Sequence, residues 1–316
     1  MGIFTTPKVS VIIPVYGVEK YIEKCAISLF EQTLQDIEYI FVNDCTKDSS
    51  IDVLLKVLER YPYRKEMVRI INHEINMGLP AARKTGIIAA KGDYIIHCDS
   101  DDWISKDLYS KMYKSIISSN ADVAICDIWC SDGITNTSII KGTTTLCYDK
   151  FLHNIVRMNT SWSLVNKMFK RSVYFENITY PTSYMGEDMA LCIQLLSFCK
   201  SLSYVNDSYY YYFNNIQSIS KKEDKKAIFS LYTMFAKNYL IVINHFKKVA
   251  LYLEYSKDLS YNLFINRLTF AKRAKSISFL KKSKYHLPRT TLDIFKDNAI
   301  PLSLRIQSLL FYLLRI

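Results

Sequence analysis

Within the first 126 residues, short β-branched apolar runs alternate with stretches of helical spacing, and this alternation limits the possible folds more than any other feature. Residues 8–16 (KVSVIIPVY) form such a run, and residues 19–32 then space Tyr21, Ile22, Cys25, Leu29 and Phe30 as a helix would. The pair recurs as strand 37–43 with helix 49–60, strand 68–72 with helix 79–90, and strand 93–98 with helix 105–119, before a last apolar run at 122–126. Continuous apolar strands separated by helices predict a parallel sheet covered on both faces, with ligands beyond the carboxyl ends of its strands. The chemistry is therefore expected in the loops that follow those strands.

From about residue 127 the alternation gives way to shorter mixed elements: a helix near 150–158, a strand near 165–170 and a helix at 187–198. Residues 203–213 are aromatic and β-prone, and after Ser220 the chain reads as helical up to Lys284. The tail from Pro301 sets Leu302, Ile306, Leu309, Leu313 and Ile316 on one helical face and Arg305, Ser308, Tyr312 and Arg315 on another. A helix of that kind is too short and charged to span a bilayer but suits lying on one. A chain of 316 residues that is 49% hydrophobic can bury a full core.

The net charge of +11 is unevenly placed. Residues 1–220 carry 22 basic and 24 acidic side chains, whereas 221–316 carry 19 and 6. The basic third suits an anionic surface, or is a set of solvated helix faces; nucleic acid is not implied for the rest. The eight cysteines show no C-x-x-C spacing and read as buried thiols in a reducing compartment. No signal-like leader and no run of 18 uncharged apolar residues appears, so a soluble or peripheral cytoplasmic protein is expected.

Three loops carry candidate chemistry. Asp99, Ser100, Asp101 and Asp102 directly follow an apolar strand. Three carboxylates crowded there repel one another, and a hard divalent cation brought with substrate phosphates is their usual partner, although a capping turn would use the same residues. Asp44 ends the strand at 37–43, where it can accept a hydrogen bond from a nucleobase imide or cap the helix that follows. In the loop 76–83, Arg83 stands one helical turn in, placed to fork a phosphate or carboxylate or to form a surface ion pair.

Taken in order, Pro14-Val15-Tyr16, Val42-Asn43-Asp44 with Asp48-Ser49, N-x-G-x-x-x-A-R from Asn76 to Arg83, and Gly92-Asp93-Tyr94 with Asp99-Ser100-Asp101-Asp102-Trp103 resemble the GT-A glycosyltransferases of family 2. The likeness extends more weakly through Asn166-Lys167-Met168-Phe169-Lys170-Arg171 and Gly186-Glu187-Asp188. It implies an α/β, Rossmann-like nucleotide-diphospho-sugar transferase domain at 1–220, with a nucleotide-sugar-binding half at 8–126 and an acceptor half at 127–220. A mostly helical, basic region at 221–316 follows. Pro14, Val15 and Tyr16 would flank the nucleoside, Asp44 read the base, and Arg83 lie near the nucleotide or donor. Asp99 would sit near the ribose and, with Asp101 as main ligand, hold Mn²⁺ or Mg²⁺; Asp102 would stand beside the metal or sugar. Asp188 would be the general base, with Glu187 binding acceptor or substituting as base.

The resemblance implies an inverting transfer of a sugar from a nucleotide-sugar, expected to be a UDP-sugar, to a hydroxyl of a saccharide or lipid-linked saccharide in bacterial surface polysaccharide synthesis. The basic helices would then hold the enzyme at the inner face of the plasma membrane. Departures from the family pattern are Gly17 where Asn is usual, Cys45 for Gly, Lys84 for Asn, and the lack of an Arg shortly before Ser218; Lys221 or Lys222 would either take its place or, as their position favours, simply begin a solvated helix. A nucleotidyltransferase would need a Gly-rich basic loop near the first strand, and dehydrogenase and P-loop readings lack their glycine motifs. The rival from another class is a non-catalytic nucleotide-sugar or polyanion-binding protein, favoured by the charge of the tail.

Overall fold

Four parallel strands form one side of a nine-stranded sheet, ordered β3-β2-β1-β4 and built from β1 (Val9–Val15), β2 (Ile37–Asn43), β3 (Val68–Asn72) and β4 (Tyr94–His97). The computed structural model describes residues 6–214, 224–275, 295–296 and 300–313. Helices α1 (Ile22–Phe30), α2 (Ser50–Glu59) and α3 (Leu79–Ala89) follow the first three strands. Every residue of β1 and β4 is buried, which is why these strands read as unbroken apolar runs. Successive side chains alternate between two cores: Ile12, Ile40, Val42 and Ile95 enter one, and Val11, Ile13, Tyr39, Phe41 and Ile96 the other.

Beyond β4 the sheet becomes mixed. β8 (Lys167–Lys170) pairs antiparallel with both β4 and β6 (Val123–Ser131), β6 runs parallel to β9 (Leu202–Phe213), and the two-residue β5 (Trp103–Ile104) closes the far edge against β9. β7 (Asn136–Ile140) hangs on β6. Neither β5 nor β7 was expected from the sequence: the first is too short to show a period, and the second is polar and largely exposed. The arrangement leaves β4, β6 and β9 pointing the same way, so their carboxyl ends meet at one edge of the molecule.

Helix α4 (Leu108–Ser118) packs on β9 and β6, and α5 (Tyr148–Val156) and α6 (Glu187–Leu196) cover the other face. Every residue of α6 except Asp188 is buried. A helix apolar all round needs cover on every side. That cover comes from α7 (Lys225–Lys248), whose Ile228, Leu231, Tyr232, Phe235 and Tyr239 join one core with Met189, Ala190 and Leu191, and from α8 (Tyr252–Arg273), which adds Tyr255, Leu259 and Leu263. Asp224 caps α7 by accepting a hydrogen bond from the Ala227 amide. The basic helices and the acceptor half thus share a hydrophobic interior.

The last helix is α9 (Leu302–Leu313). Leu304 packs against Phe264, Leu268 and Ile300, and Ser308 is buried, whereas Leu302 and Ile306 are 64% and 47% exposed. Among the described residues no helix is long and apolar enough to cross a membrane.

Burial makes this core acid-sensitive. His245 on α7 is 2% exposed, lies 2.6 Å from Ser197 Oγ, and is pushed down to about 4 by desolvation and then by Lys248. Its folded-state value lies below its unfolded value of 6.5, so the stability it contributes is present above pH 6.5 and is lost as pH falls towards 4. We expect urea unfolding at pH 5 to show about 2 kcal/mol less stability than at pH 7 from this group, and His245→Gln to flatten that dependence.

Candidate active site

The acidic turn after β4 is locked on two sides. Ser100 donates its hydroxyl to the Pro14 carbonyl at the end of β1 (2.7 Å), and the Asp102 amide donates to the Asp99 carbonyl (3.1 Å). Asp102 itself is fully committed to β9: Oδ2 accepts from the Tyr210 hydroxyl at 2.5 Å and Oδ1 from the Phe213 amide at 2.7 Å. Burial, followed by the charges of Asp101 and Asp99, pushes its carboxyl well above the ordinary range. Asp101 is different. Its carboxylate has no ion-pair or hydrogen-bond partner on another described residue, and burial with the nearby Asp99 charge raises it to about 6.

Arg83, on α3, is the cation of the site and is only 2% exposed. Its Nε donates to Glu187 Oε1 at 2.8 Å, and Nη2 reaches Asp99 Oδ1 at 2.8 Å and Asp188 Oδ1 at 3.3 Å. Burial disfavours its charge, but Asp99, Glu187 and Asp188 outweigh that and hold the guanidinium firmly protonated. Its Nη1 and the Oε2 of Glu187 are buried without partners. Glu187 is pushed well above the usual carboxylate range by burial, against the pull of Arg83. Three carboxylates, Asp99, Glu187 and Asp188, therefore meet one guanidinium, with Asp101 and Asp102 on the adjoining turn.

Glu187 and Asp188 open α6, whose preceding Gly186 adopts φ 79°, a left-handed conformation suited to glycine. A Cβ at Gly186 would also meet Phe235 at 2.9 Å. Asp188 is 24% exposed and accepts a long hydrogen bond from Ser163 Oγ at 3.4 Å. The loop holding Ser163 is pinned by Lys167, fully buried, whose Nζ donates to the carbonyls of Ser161 (2.7 Å) and Ser163 (2.9 Å) and to Asn166 Oδ1. Burial draws Lys167 below its ordinary range.

At the neighbouring strand ends, Pro14 and Val15 are buried and Tyr16 is 51% exposed. Asp44 is 3% exposed; Oδ1 accepts from His73 Nδ1 and the Met77 amide, both at 2.8 Å, and Oδ2 from the Gly78 amide at 2.7 Å. Those amides immediately precede α3, so Asp44 anchors the start of the helix that carries Arg83. His73, which also meets Thr85 Oγ1 at 2.9 Å, was not singled out from the sequence, nor was Tyr210, hidden in a run of four tyrosines. Of the departures from the family pattern, Cys45 takes φ 57° where glycine would be at ease, and Lys84 lies over the Tyr180 ring at 5.2 Å. Ser218, Lys221 and Lys222 lie outside the described residues.

The structure thus gathers Arg83, Asp99, Glu187 and Asp188 into one cluster beside Asp101 and Asp102, with Pro14, Val15, Tyr16 and Asp44 along the adjoining strand ends. The chain as a whole is similar to known proteins. Residues 10–180 match the model of glycosyl transferase family 2, more than half of the chain, and the chain belongs to that family. It is 32% identical over 211 residues to the poly(ribitol-phosphate) β-glucosyltransferase of Bacillus spizizenii, covering 65% of this chain and 32% of that one. The chain spans about a third of the length of several curated relatives it matches (32–35%). Among solved structures, S. aureus TarS 1-349 in complex with UDP-GlcNAc superimposes with a TM-score of 0.57 at 19% identity, over 95% of this chain and 88% of that one. The mannosyltransferase PcManGT of Pyrobaculum calidifontis, in complex with GDP-Man and Mn²⁺, gives 0.55 at 14% identity over 98% and 88%. These likenesses establish a GT-A-like fold with a helical C-terminal region.

Tyr210→Phe is expected to cost about 1–3 kcal/mol, because it strips a donor from the buried Asp102 carboxylate and an acceptor from the Asp99 amide. Tyr212→Phe, at a site 38% exposed, should stay within about 0.5 kcal/mol. Urea unfolding of the two variants checks the contrast.

Proposed function

We propose that the protein transfers a sugar from a UDP-sugar to an acceptor hydroxyl with inversion, using a divalent cation at Asp101. The observation that carries this reading is the Asp101 carboxylate, without an ion-pair or hydrogen-bond partner on another described residue, beside three acids that share one guanidinium. The residues fit Mn²⁺ or Mg²⁺: the donors are hard carboxylate oxygens, and Asp101, raised to about 6, releases its proton readily to a competing cation. Asp101 would hold the ion with Asp99. Among the described residues no group of three or more His, Cys, Asp or Glu is arranged for a metal, so the donor's diphosphate would supply the other ligands. Bound there, the cation stabilises negative charge on the departing diphosphate.

Asp188 then takes the proton of the acceptor hydroxyl while that oxygen forms its bond to the anomeric carbon. The bond from that carbon to the diphosphate breaks, and its electron pair leaves with the nucleotide. Asp188 suits the role because it is the one residue of α6 that stays accessible, beside the acidic turn yet outside it. Glu187, buried on Arg83, supports it from behind. Asp44, Pro14, Val15 and Tyr16 would receive the nucleoside, with Asp99 near the ribose and Asp102 bracing the turn. The UDP reading draws on the UDP-GlcNAc complex of TarS, and the metal on the Mn²⁺ complex of PcManGT.

The relative named for poly(ribitol-phosphate) supports a surface-polymer or lipid-linked acceptor. Attachment to an anionic membrane face would follow from the 19 basic and 6 acidic side chains of 221–316 and from Leu302 and Ile306 on the outer face of α9. Changing both to Glu should reduce co-flotation with phosphatidylglycerol-containing vesicles severalfold; unchanged flotation would count against the membrane role.

A calorimetric titration of a nucleotide-sugar panel tests the donor site. Binding of one UDP-sugar with Mn²⁺ is expected, weakened at least tenfold by chelator and by Asp101→Ala, a loss of about 1.4 kcal/mol or more. Equal binding in the variant would remove the cation from Asp101.

A further inference from the structure

Arg83 was expected beside the donor, where a guanidinium forks phosphate oxygens. In the fold its fork is already occupied: Nε donates to Glu187 and Nη2 to Asp99, and Nη2 also lies 3.3 Å from Asp188 Oδ1 as an ion pair, that oxygen being buried without a hydrogen bond. The side chain is 2% exposed, and the one terminal nitrogen without a partner, Nη1, is itself buried. A phosphate could use that fork only by displacing buried carboxylates.

The contacts join parts of the chain that are far apart in sequence. Arg83 lies on α3, whose start is fixed by Asp44 through the Met77 and Gly78 amides, and whose Gly86 sits so close to β1 that a Cβ would meet Ile12 Cγ2 at 2.4 Å. Glu187 and Asp188 lie 104 and more residues on, at the first turn of α6. The other contacts on the Asp188 carboxylate are the long hydrogen bond from Ser163 and one shared with the neighbouring Glu187 carboxyl. Without a cation between them, adjacent carboxylates at 187 and 188, with Asp99 opposite, repel in a poorly screened interior, and the exposed one turns away.

We propose that Arg83 is the positioning residue for Asp188, bridging the donor half to the acceptor half and fixing the base beside the acidic turn, instead of a clamp on the donor's phosphates. The proposal rests on the reading of Asp188 as base. A lysine would restore the charge at this site but not the bridge, since one ammonium cannot reproduce the planar fork that reaches three carboxylates.

The test uses the full chain with Arg83→Lys and Arg83→Met, binding UDP with Mn²⁺ by calorimetry, melting temperature, and kcat for UDP release from the UDP-sugar that binds in the calorimetric panel. Arg83→Lys is expected to melt close to wild type and bind UDP within about threefold, yet lose about 100-fold in kcat, the low end of what a placed general base contributes. Arg83→Met should show the same split with a lower melting temperature. A tenfold or greater loss of UDP binding at unchanged kcat would make Arg83 a donor clamp, and wild-type kcat in Arg83→Lys would reduce it to a structural charge; either overturns the proposal. Asp188→Asn separates this from the underlying reading: transfer surviving there removes the base itself, whereas transfer lost there but intact in both Arg83 variants overturns the positioning role alone.

Discussion

A guanidinium sealed inside protein and facing more negative charge than it can neutralise is the constraint on which this site turns. Arg83 is ringed by Asp99, Glu187 and Asp188, and Asp101 and Asp102 lie just beyond. Burying an ion pair costs desolvation on both sides, and such a cluster persists only where the surrounding fold enforces it. Here the enforcement is visible: Asp44 fixes the start of α3, Ser100 ties the acidic turn to β1, and Tyr210 with Phe213 hold Asp102 from β9. The leftover negative charge suits the cation proposed at Asp101.

The same carboxylates divide their labour by environment. Asp102 is saturated with hydrogen bonds and works as a brace, Asp101 is left unpaired, and Glu187 is buried against Arg83. Asp188 alone on its helix keeps contact with solvent. Chemically similar side chains within a small volume therefore acquire separate tasks through the number of donors each one meets.

Much of the donor half was legible from the chain alone, because strands buried on both faces need continuous apolar runs and their helices need a matching stripe. β1, β2, β3 and β4 each fall within a residue of the spans read from periodicity. β5 escaped because two residues carry no period, and β7 because its sequence, NTSII, is polar at its start and mostly exposed. The acidic turn and Asp44 were visible by their position after strands, yet their contacts were not. Nothing near Arg83 in sequence announces that its fork closes on α6, and nothing marks His73 as the partner of Asp44. For the tail, the stripe of Leu302 and Ile306 was legible as a face suited to a bilayer, but the contact of Leu304 with Phe264 and Leu268 was not.

The interior shared by α6 with α7 and α8 also bears on how the protein is made. While the chain is being synthesised, the helix that ends in the active site emerges first, apolar on nearly every side, and its covering partners are still to come. Until α7 and α8 arrive, the segment that carries Glu187 and Asp188 exposes a surface suited to chaperones or to misassembly. The α6 side of the acidic cluster is therefore completed late in biosynthesis, after β1 to β4 have had time to assemble.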